Sequence, residues 1–99
     1  MLTVIAETTV RQGREADWDS AYQERAADAR NQPGWVDLHL LIPHDDRQKR
    51  VVVGTWRDME SWERWHTTDT FQRTRDRLDD ATEAQRGERW FDVVESQTA

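Results

Sequence analysis

The sequence predicts an α+β fold in which helices pack on one face of an antiparallel sheet. Four segments alternate apolar and polar residues, and the stretches between them repeat apolar residues with the helical period. Their order along the chain is β-α-β-β-α-β, which is the order of the ferredoxin-like split βαβ arrangement. One face of such a sheet stays uncovered, so a second copy of the chain, related by two-fold symmetry, is expected to cover it.

Length, charge and composition narrow the functional classes. The 99 residues are expected to form one domain over residues 1–96, followed by a loose tail at 97–99. A net charge of −6, with both signs interspersed, argues against nucleic-acid binding, which needs a basic face. No apolar run could span a bilayer, the first residues lack the basic start of a signal peptide, and cysteine is absent. We therefore expect a cytoplasmic homodimer without membrane contacts.

The first strand is predicted over Leu2–Val10, where Val4, Ala6 and Thr8 share one face. After Gly13 the period changes to that of a helix, whose mostly small packing face comprises Trp18, Ala21, Tyr22, Ala26 and Ala29. Arg25 lies at the edge of this face. It is either a surface arginine in a salt bridge or a charge at the mouth of a cleft that meets an anionic or phenolic group.

The next two segments are predicted to form a hairpin. Proline and glycine in Gln32–Gly34 end the helix, and a strand follows over Trp35–Ile42. Its predicted apolar face is Val36, Leu38, Leu40 and Ile42, and its mixed face, suited to a protein contact, is Trp35, Asp37, His39 and Leu41. A polar connection over residues 43–49 leads to the third strand, Arg50–Trp56, in which Gly54 suggests a bulge or a close approach by a ring.

Two short helices and a last strand complete the chain. Asp58 is a good N-cap for a helix with an aromatic face of Met59, Trp62 and His66, with Trp65 beside them. Thr67 or Thr68 begins a second helix, predicted to reach about Ala84, in which Phe71, Thr74 or Arg75, and Leu78 recur. Residues 85–87 are expected to end it before a strand over Glu88–Glu95.

Six tryptophans are many for a chain of this length. Either they fill the space between helices and sheet as core, or some of them line a pocket for a flat apolar ligand.

Three motifs carry a family resemblance: residues 10–13 before the first helix, residues 32–35 at the start of the second strand, and residues 53–65. Together they resemble the antibiotic biosynthesis monooxygenase family, and the resemblance extends over about Leu2 to Glu95. It implies a dimeric α+β barrel. The family includes cofactor-free oxygenases of polycyclic aromatic substrates, haem-degrading enzymes, and members that process aldehydes or quinols.

The resemblance can be followed residue by residue. Haem-degrading members are similar at Trp65, but their first-strand asparagine corresponds to Ala6 and their iron-ligating histidine to Thr74 or Arg75. His66 follows Trp65 directly and is expected to point about 100° away from it on a helix. Haem degradation is therefore disfavoured. In members that oxidise anthrone-type phenols, a tyrosine and an upstream asparagine correspond to Phe71 and Ser61.

The leading hypothesis is a cofactor-independent monooxygenase-like enzyme that acts on an aromatic or polycyclic phenol or a quinone-type small molecule. His66 or His39 could accept a proton, although His39 fits an interface better, and Arg25 or Arg75 could stabilise an oxyanion. No cofactor is expected, and no histidine pair stands at metal-binding spacing. The alternatives are a non-catalytic small-molecule-binding or structural homodimer and, third, a haem protein. The predicted catalytic residues are His66 and Arg75, and the predicted substrate-binding residues are Trp65, Trp62, Phe71, Trp56, Tyr22, Arg25, Thr8 and Thr74.

Overall fold

The computed structural model describes all 99 residues and confirms the α+β class. Four strands form one antiparallel sheet in the order β2-β3-β1-β4, and three helices pack on one of its faces. The elements are β1 (Leu2–Val10), α1 (Glu15–Ala29), β2 (Trp35–Leu41), β3 (Lys49–Trp56), α2 (Met59–His66), α3 (Asp69–Asp80) and β4 (Thr82–Asp92). No helix is both long enough and apolar enough to cross a membrane.

The two central strands set the face that the helices cover. In the antiparallel register of β1 and β3, Val4 lies opposite Gly54 and Ala6 opposite Val52. Because alternate residues of a strand point to opposite faces, these residues and Thr8 point together toward the helices. A Cβ atom at Gly54 would lie 3.0 Å from Leu38 Cδ1 and 3.7 Å from Trp56 Nε1. The glycine therefore permits the close approach of an aliphatic side chain, whereas the sequence suggested a bulge or a ring.

Strand β2 differs from the predicted alternation at its first two residues. Trp35 pairs with Trp56 and Asp37 with Thr55, so Val36 is an extra residue in the ladder. This irregularity turns Trp35 inward, where it packs against the core, and leaves Val36 40% exposed. The predicted faces are wrong for these two residues, whereas Leu38 and Leu40 pack inward as expected.

The C-terminal part of the chain also differs. Helix α3 ends at Asp80 instead of continuing to about Ala84, and β4 begins at Thr82 and ends at Asp92. The glycine expected to break the structure is inside the strand. Gly87 has a φ of +93° and pairs with Glu7, whereas Gln85 pairs with Thr8, so Arg86 bulges out of the ladder.

Helix α2 is fixed at its N-terminus. The Asp58 carboxylate accepts from Ser61 N at 2.8 Å and from Ser61 Oγ at 2.7 Å, which confirms the predicted N-cap. Gly34, with a φ of +86°, lies directly against the buried Ser61 side chain, where no Cβ atom would fit. The buried face of α2 therefore contains Ser61 and Trp65, and Met59, predicted to belong to the aromatic face, is 41% exposed.

Helices α1 and α3 pack side by side, with the Glu24 carboxylate accepting from Arg73 and Arg77. Two groups of buried apolar side chains lie beneath the helices. The first group contains Val10, Trp18, Ala21, Tyr22, Leu78 and Ala81. The second contains Ala29, Trp56, Trp65 and Phe71.

Candidate functional site

A cavity of about 360 Å³ lies between the helices and the sheet. Its floor is the inner face of the central strands, including Val4, Ala6, Thr8 and Val52. Its walls come from all three helices and from β4. A cavity of this size and largely apolar lining is in the range of small-molecule sites.

The structure brings most of the predicted site residues together around this cavity. Those that line it are Thr8, Tyr22, Arg25, Trp56, Trp62, Trp65, His66, Phe71 and Arg75. Thr74 is the exception, because it is fully buried beneath the α3 surface and does not line the cavity. Its hydroxyl instead accepts a hydrogen bond from Arg25, so any contribution to a ligand is indirect.

Aromatic rings form one wall of the cavity, with Trp65 at its centre. The Trp65 ring lies 5.1 Å from that of Trp56 and 4.8 Å, edge to face, from that of Phe71. Trp65 is only 8% exposed, and its Nε1 has no hydrogen-bond partner in the protein. A buried indole N–H without a partner costs free energy, which an acceptor atom of a ligand would recover.

His66 is held in one tautomer. Its Nδ1 lies 2.7 Å from the carbonyl oxygen of Trp62, and since a carbonyl can only accept, Nδ1 carries the proton. Nε2 makes no hydrogen bond to the protein and is free to accept a proton. Burial lowers the pKa of His66, and Arg25 and Arg75 also lower it against the opposing effects of the Trp62 carbonyl and Glu88, so the imidazole is neutral at pH 7.

His66 was expected to point away from Trp65, yet both residues line the cavity. Their rings are 5.3 Å apart and nearly perpendicular, at 77°. The His66 ring is also 4.2 Å from that of Phe71. The cavity wall is wide enough to include both Trp65 and His66, although the two side chains leave the helix in different directions.

Arg25 reaches from α1 toward α3. Its Nε donates to Thr74 Oγ1 at 2.9 Å, its Nη2 donates to the Phe71 carbonyl at 3.0 Å, and its guanidinium carbon lies 3.9 Å from the Phe71 ring centroid. Burial, aided by the nearby Arg75, lowers the pKa of Arg25 to about 10, so the group is still charged at pH 7. Arg75 is exposed at the cavity edge, with its guanidinium carbon 5.5 Å from the same ring.

Tyr22 presents a second buried donor. Its ring stacks on Trp18 with centroids 5.4 Å apart, and its hydroxyl has no partner in the protein. Burial raises the pKa of Tyr22 to about 12, against a smaller lowering by Arg25, so the phenol is neutral and can donate to a ligand.

Sequence reasoning missed the polar residues that β4 and the end of α3 contribute. These are Asp79, Thr82, Gln85 and Glu88. The sequence predicts a helix at Thr82 and its terminating turn at Gln85, and this pattern does not reveal that both side chains point inward. Glu88 and Trp90 are two residues apart, so their side chains lie on the same face of the strand. This alternation was a signal that could have placed Glu88 on the inner face.

The residues present do not fit haem. Ala6 offers a methyl group at the cavity floor where haem-degrading relatives carry an asparagine. At the position of their iron ligand, Thr74 is engaged with Arg25 and Arg75 is a guanidinium, which cannot act as a neutral ligand. No group of three or more histidine, cysteine or acidic residues is placed to hold a metal ion. Ser61, the counterpart of the asparagine in anthrone-oxidising relatives, is bonded to Asp58 outside the cavity.

Comparison with known proteins decides the family. The family model for antibiotic biosynthesis monooxygenases matches residues 1–77. The chain belongs to this family. SnoaB from Streptomyces nogalater, a cofactor-independent oxygenase, superposes on the chain with a TM-score of 0.85 at 23% identity, with 96% of this chain and 94% of SnoaB covered.

Other solved structures are as similar in shape. Rv0793 from Mycobacterium tuberculosis has a TM-score of 0.87 at 11% identity, with 98% of each chain covered. No curated protein matches the sequence. At these identities the structural neighbours establish the fold, and the family match establishes a monooxygenase-like function at the level of the family.

Proposed function

We propose that the protein is a cofactor-independent monooxygenase that acts on an aromatic or polycyclic phenol or a quinone-type small molecule bound in the cavity. The observation that carries this proposal is the state of His66. It is a neutral imidazole with a fixed Nδ1 proton and a free Nε2, set among aromatic rings at the edge of an apolar cavity. A base with these properties can remove a proton from an electron-rich aromatic ligand at neutral pH.

The other lining groups suit the anion that this proton transfer creates. When Nε2 of His66 takes the proton of a bound phenol or anthrone, the negative charge is shared between the oxygen and a ring carbon. Arg25, with Arg75 at the edge, stabilises the oxygen end. The carbanion end reacts with dioxygen. In an anthrone, conversion of the ring CH₂ to C=O places one oxygen atom in the product and releases the other as water with the two hydrogens of the CH₂. The aromatic wall holds the ring and keeps bulk water away.

The likeness to SnoaB supports the absence of a cofactor from this scheme, because that protein is a cofactor-independent oxygenase of the same fold. The match does not extend to every polar group. By the family resemblance, Phe71 corresponds to the tyrosine of anthrone-oxidising members, and a phenylalanine can neither donate nor accept a proton there. In the proposed scheme His66, whose ring contacts that of Phe71, takes over the role of accepting the proton.

We also propose that the protein functions as a homodimer formed through the outer face of the sheet. That face has no helix over it and carries Ile5, Val51 and Val53 in neighbouring strands, with Leu41 48% exposed. An uncovered apolar sheet face of a small chain gains free energy when a second copy buries it. His39, on the same face, would then be an interface residue instead of a base.

The experiment that tests the function combines binding and turnover. Quenching of tryptophan fluorescence, corrected for absorbance, measures binding of 1,8-dihydroxyanthrone, a naphthoquinone and haemin, and an oxygen electrode measures turnover. We expect saturable binding of the anthrone and oxygen uptake above the buffer rate. His66→Gln should bind the anthrone with unchanged affinity and turn it over roughly 100-fold more slowly, as expected for loss of a general base.

Controls separate the proposal from its alternatives. Trp65→Ala should lose anthrone binding, and Trp65→Phe, which keeps an aromatic wall, should retain most of it. Binding without oxygen uptake would contradict catalysis and favour the non-catalytic binding homodimer. A sharp Soret band with haemin, together with no binding of the phenols, would overturn the proposal in favour of a haem protein.

A further inference from the structure

Two arginines lie against the aromatic side chains between the helices and the sheet, and only one of them is neutralised. Arg50 is 3% exposed, and its Nε and Nη2 donate to the two carboxylate oxygens of Asp19 at 2.8 and 3.2 Å. Arg25 forms no salt bridge, and its protein partners are a hydroxyl and a carbonyl. The Asp79 and Glu88 carboxylates favour the charge of Arg25 only from beyond salt-bridge distance, so this largely buried guanidinium can still gain stabilisation from an anion bonded to it at the cavity.

The position of Arg25 depends on Thr74. The Thr74 hydroxyl is fully buried and donates its one proton to the backbone, with the Thr70 carbonyl at 2.7 Å and the Phe71 carbonyl at 3.1 Å. Its lone pair is therefore available to Arg25, which donates from Nε at 2.9 Å. With Nη2 bonded to the Phe71 carbonyl as well, the plane of the guanidinium is fixed at two points.

This arrangement leaves donors for a ligand. A guanidinium has five N–H groups. One at Nε and one at Nη2 are used on α3, so the remaining groups, both of those on Nη1 and one on Nη2, have no protein acceptor. Since Arg25 lines the cavity, a carboxylate or an ionised phenol on an aromatic ligand can meet these donors without displacing any bond within the protein.

We propose that Thr74 is a positioning residue that makes the cavity selective for anionic over neutral aromatic ligands, because it holds the Arg25 guanidinium ready for the ligand's anionic group. This inference rests on the proposed function in that it needs an aromatic ligand in the cavity. Thr74 itself does not touch the ligand. Its replacement should therefore change the selectivity between two ligands of the same shape, and leave the affinity for the neutral one unaltered.

The test uses a matched pair of variants. Thr74→Val has nearly the same shape as threonine and removes the hydroxyl, whereas Thr74→Ser keeps the hydroxyl and removes the methyl group. Circular dichroism and thermal unfolding check that both variants fold. If Thr74→Val does not fold, Thr74→Ala takes its place, because alanine also lacks the hydroxyl. Arg25→Lys serves as the reference, because lysine keeps the charge but lacks the planar group that the two acceptors hold in position.

The first measurement needs no ligand. The Nε–H signal of Arg25 in ¹⁵N-resolved NMR spectra, identified by its loss in Arg25→Lys, should exchange slowly with water in the wild-type protein. Thr74→Val should accelerate this exchange at least about tenfold, as loss of a hydrogen bond to a charged group implies, and Thr74→Ser should leave it near the wild-type rate. An unchanged rate in Thr74→Val would overturn the positioning role.

The second measurement compares 1-hydroxy-2-naphthoate with the neutral 1-hydroxy-2-naphthamide by fluorescence quenching. The wild-type protein should prefer the anion, and Thr74→Val should lose about tenfold in affinity for the anion alone. Equal weakening of both ligands, or a wild-type preference in Arg25→Lys, would overturn the selectivity role. If neither ligand bound the wild-type protein, the proposed ligand pocket and the selectivity would both be refuted, while the exchange rate would still decide whether Thr74 positions Arg25.

Discussion

The two faces of the sheet differ in how their polar groups are satisfied. On the outer face, Thr3 and Thr55 bond to each other at 2.9 Å, and the Glu7 carboxylate lies between Lys49 and Arg86 at 3.3 and 3.4 Å. Beneath the helices, by contrast, the Tyr22 hydroxyl and Trp65 Nε1 are buried without partners. The outer face therefore needs only apolar cover, whereas the inner face has donors that a polar ligand would satisfy.

The largest expected effect concerns the inner face as a core. Trp56 is 1% exposed and packs against Trp65, so Trp56→Ala should lower the free energy of unfolding by about 3–5 kcal/mol, as truncation of a large core side chain does. Trp90→Ala is the control. Trp90 is 50% exposed and its ring lies 5.8 Å, edge to face, from that of Trp62, so this change should cost less than about 1 kcal/mol.

Urea unfolding of the two variants under the same conditions checks this difference. Similar losses of stability in both variants would mean that the buried Trp56 contributes no more to the core than the half-exposed Trp90 does.

The next largest effect concerns the outer face. Val53 lies between Ile5 and His39 across three strands, on the face proposed to meet a second copy. Val53→Lys places a charge in the centre of that contact, and we expect the dimer dissociation constant to rise about 100-fold or more because an unpaired charge would be desolvated. Val53→Thr, which keeps the shape and adds only a hydroxyl, is the matched control.

Light scattering at micromolar concentration measures the outcome. A wild-type protein that is monomeric under these conditions would contradict the interface itself. A Val53→Lys protein that stays dimeric would show that the contact lies elsewhere.

The sequence predicted the fold well where local signals and the strand pattern agree. β1 has the predicted bounds, and Asp58 and Thr68 begin the two helices that the polar caps indicated. The errors lie at irregularities of the ladder. The extra residue Val36 exchanges the predicted faces of the first two residues of β2, and the bulge at Arg86 interrupts the alternation in the middle of β4. A period-two pattern in the sequence cannot reveal where one residue drops out of register.

The cavity itself was less accessible from the sequence. Aromatic residues of α2 and α3 could be identified from their helical spacing, because both core and pocket select large apolar side chains there. The hydroxyl of Thr82 and the amide of Gln85 could not be placed, because the sequence predicts a helix and its terminating turn where β4 begins. The link from Arg25 to Thr74 joins residues 49 positions apart and exists only once α1 packs against α3.

The pH dependence of the free energy of unfolding reports the burial of His66 at the cavity wall. The pKa of His66 is lowered from its usual 6.5 in the folded protein, chiefly by burial. The unfolded chain therefore binds a proton at a higher pH than the folded one, and the stability contributed by neutral His66 is complete above about pH 6.5 and falls as the pH falls through the folded pKa. The charged side chains that act on His66 from neighbouring elements are those of Glu88, Arg25 and Arg75.

Urea unfolding at pH 7.5 and pH 5.5 tests this statement without a substrate. The wild-type protein should lose more stability between the two pH values than His66→Gln, whose side chain does not titrate. Equal losses would show that His66 is not desolvated at the cavity wall. By the same reasoning, oxygen uptake should already be at its plateau at pH 7 and decline only below pH 6.5.

The smallest expected effect is the most specific to the unpaired donors of the inner face. Tyr22→Phe removes a buried hydroxyl that has no partner, and so it should raise the free energy of unfolding of the ligand-free protein by about 1 kcal/mol, against the usual direction of a substitution. The same change should weaken binding of an anthrone by roughly fivefold, because the hydroxyl can no longer donate to a ligand oxygen. Thr55→Val is the control on the outer face: it breaks the bond to Thr3 and should not stabilise the protein. A gain in stability together with a loss of affinity in Tyr22→Phe alone would show that the Tyr22 hydroxyl serves ligand recognition at the expense of stability. A loss of stability would instead mean that water already satisfies the hydroxyl, which would then not indicate a binding site.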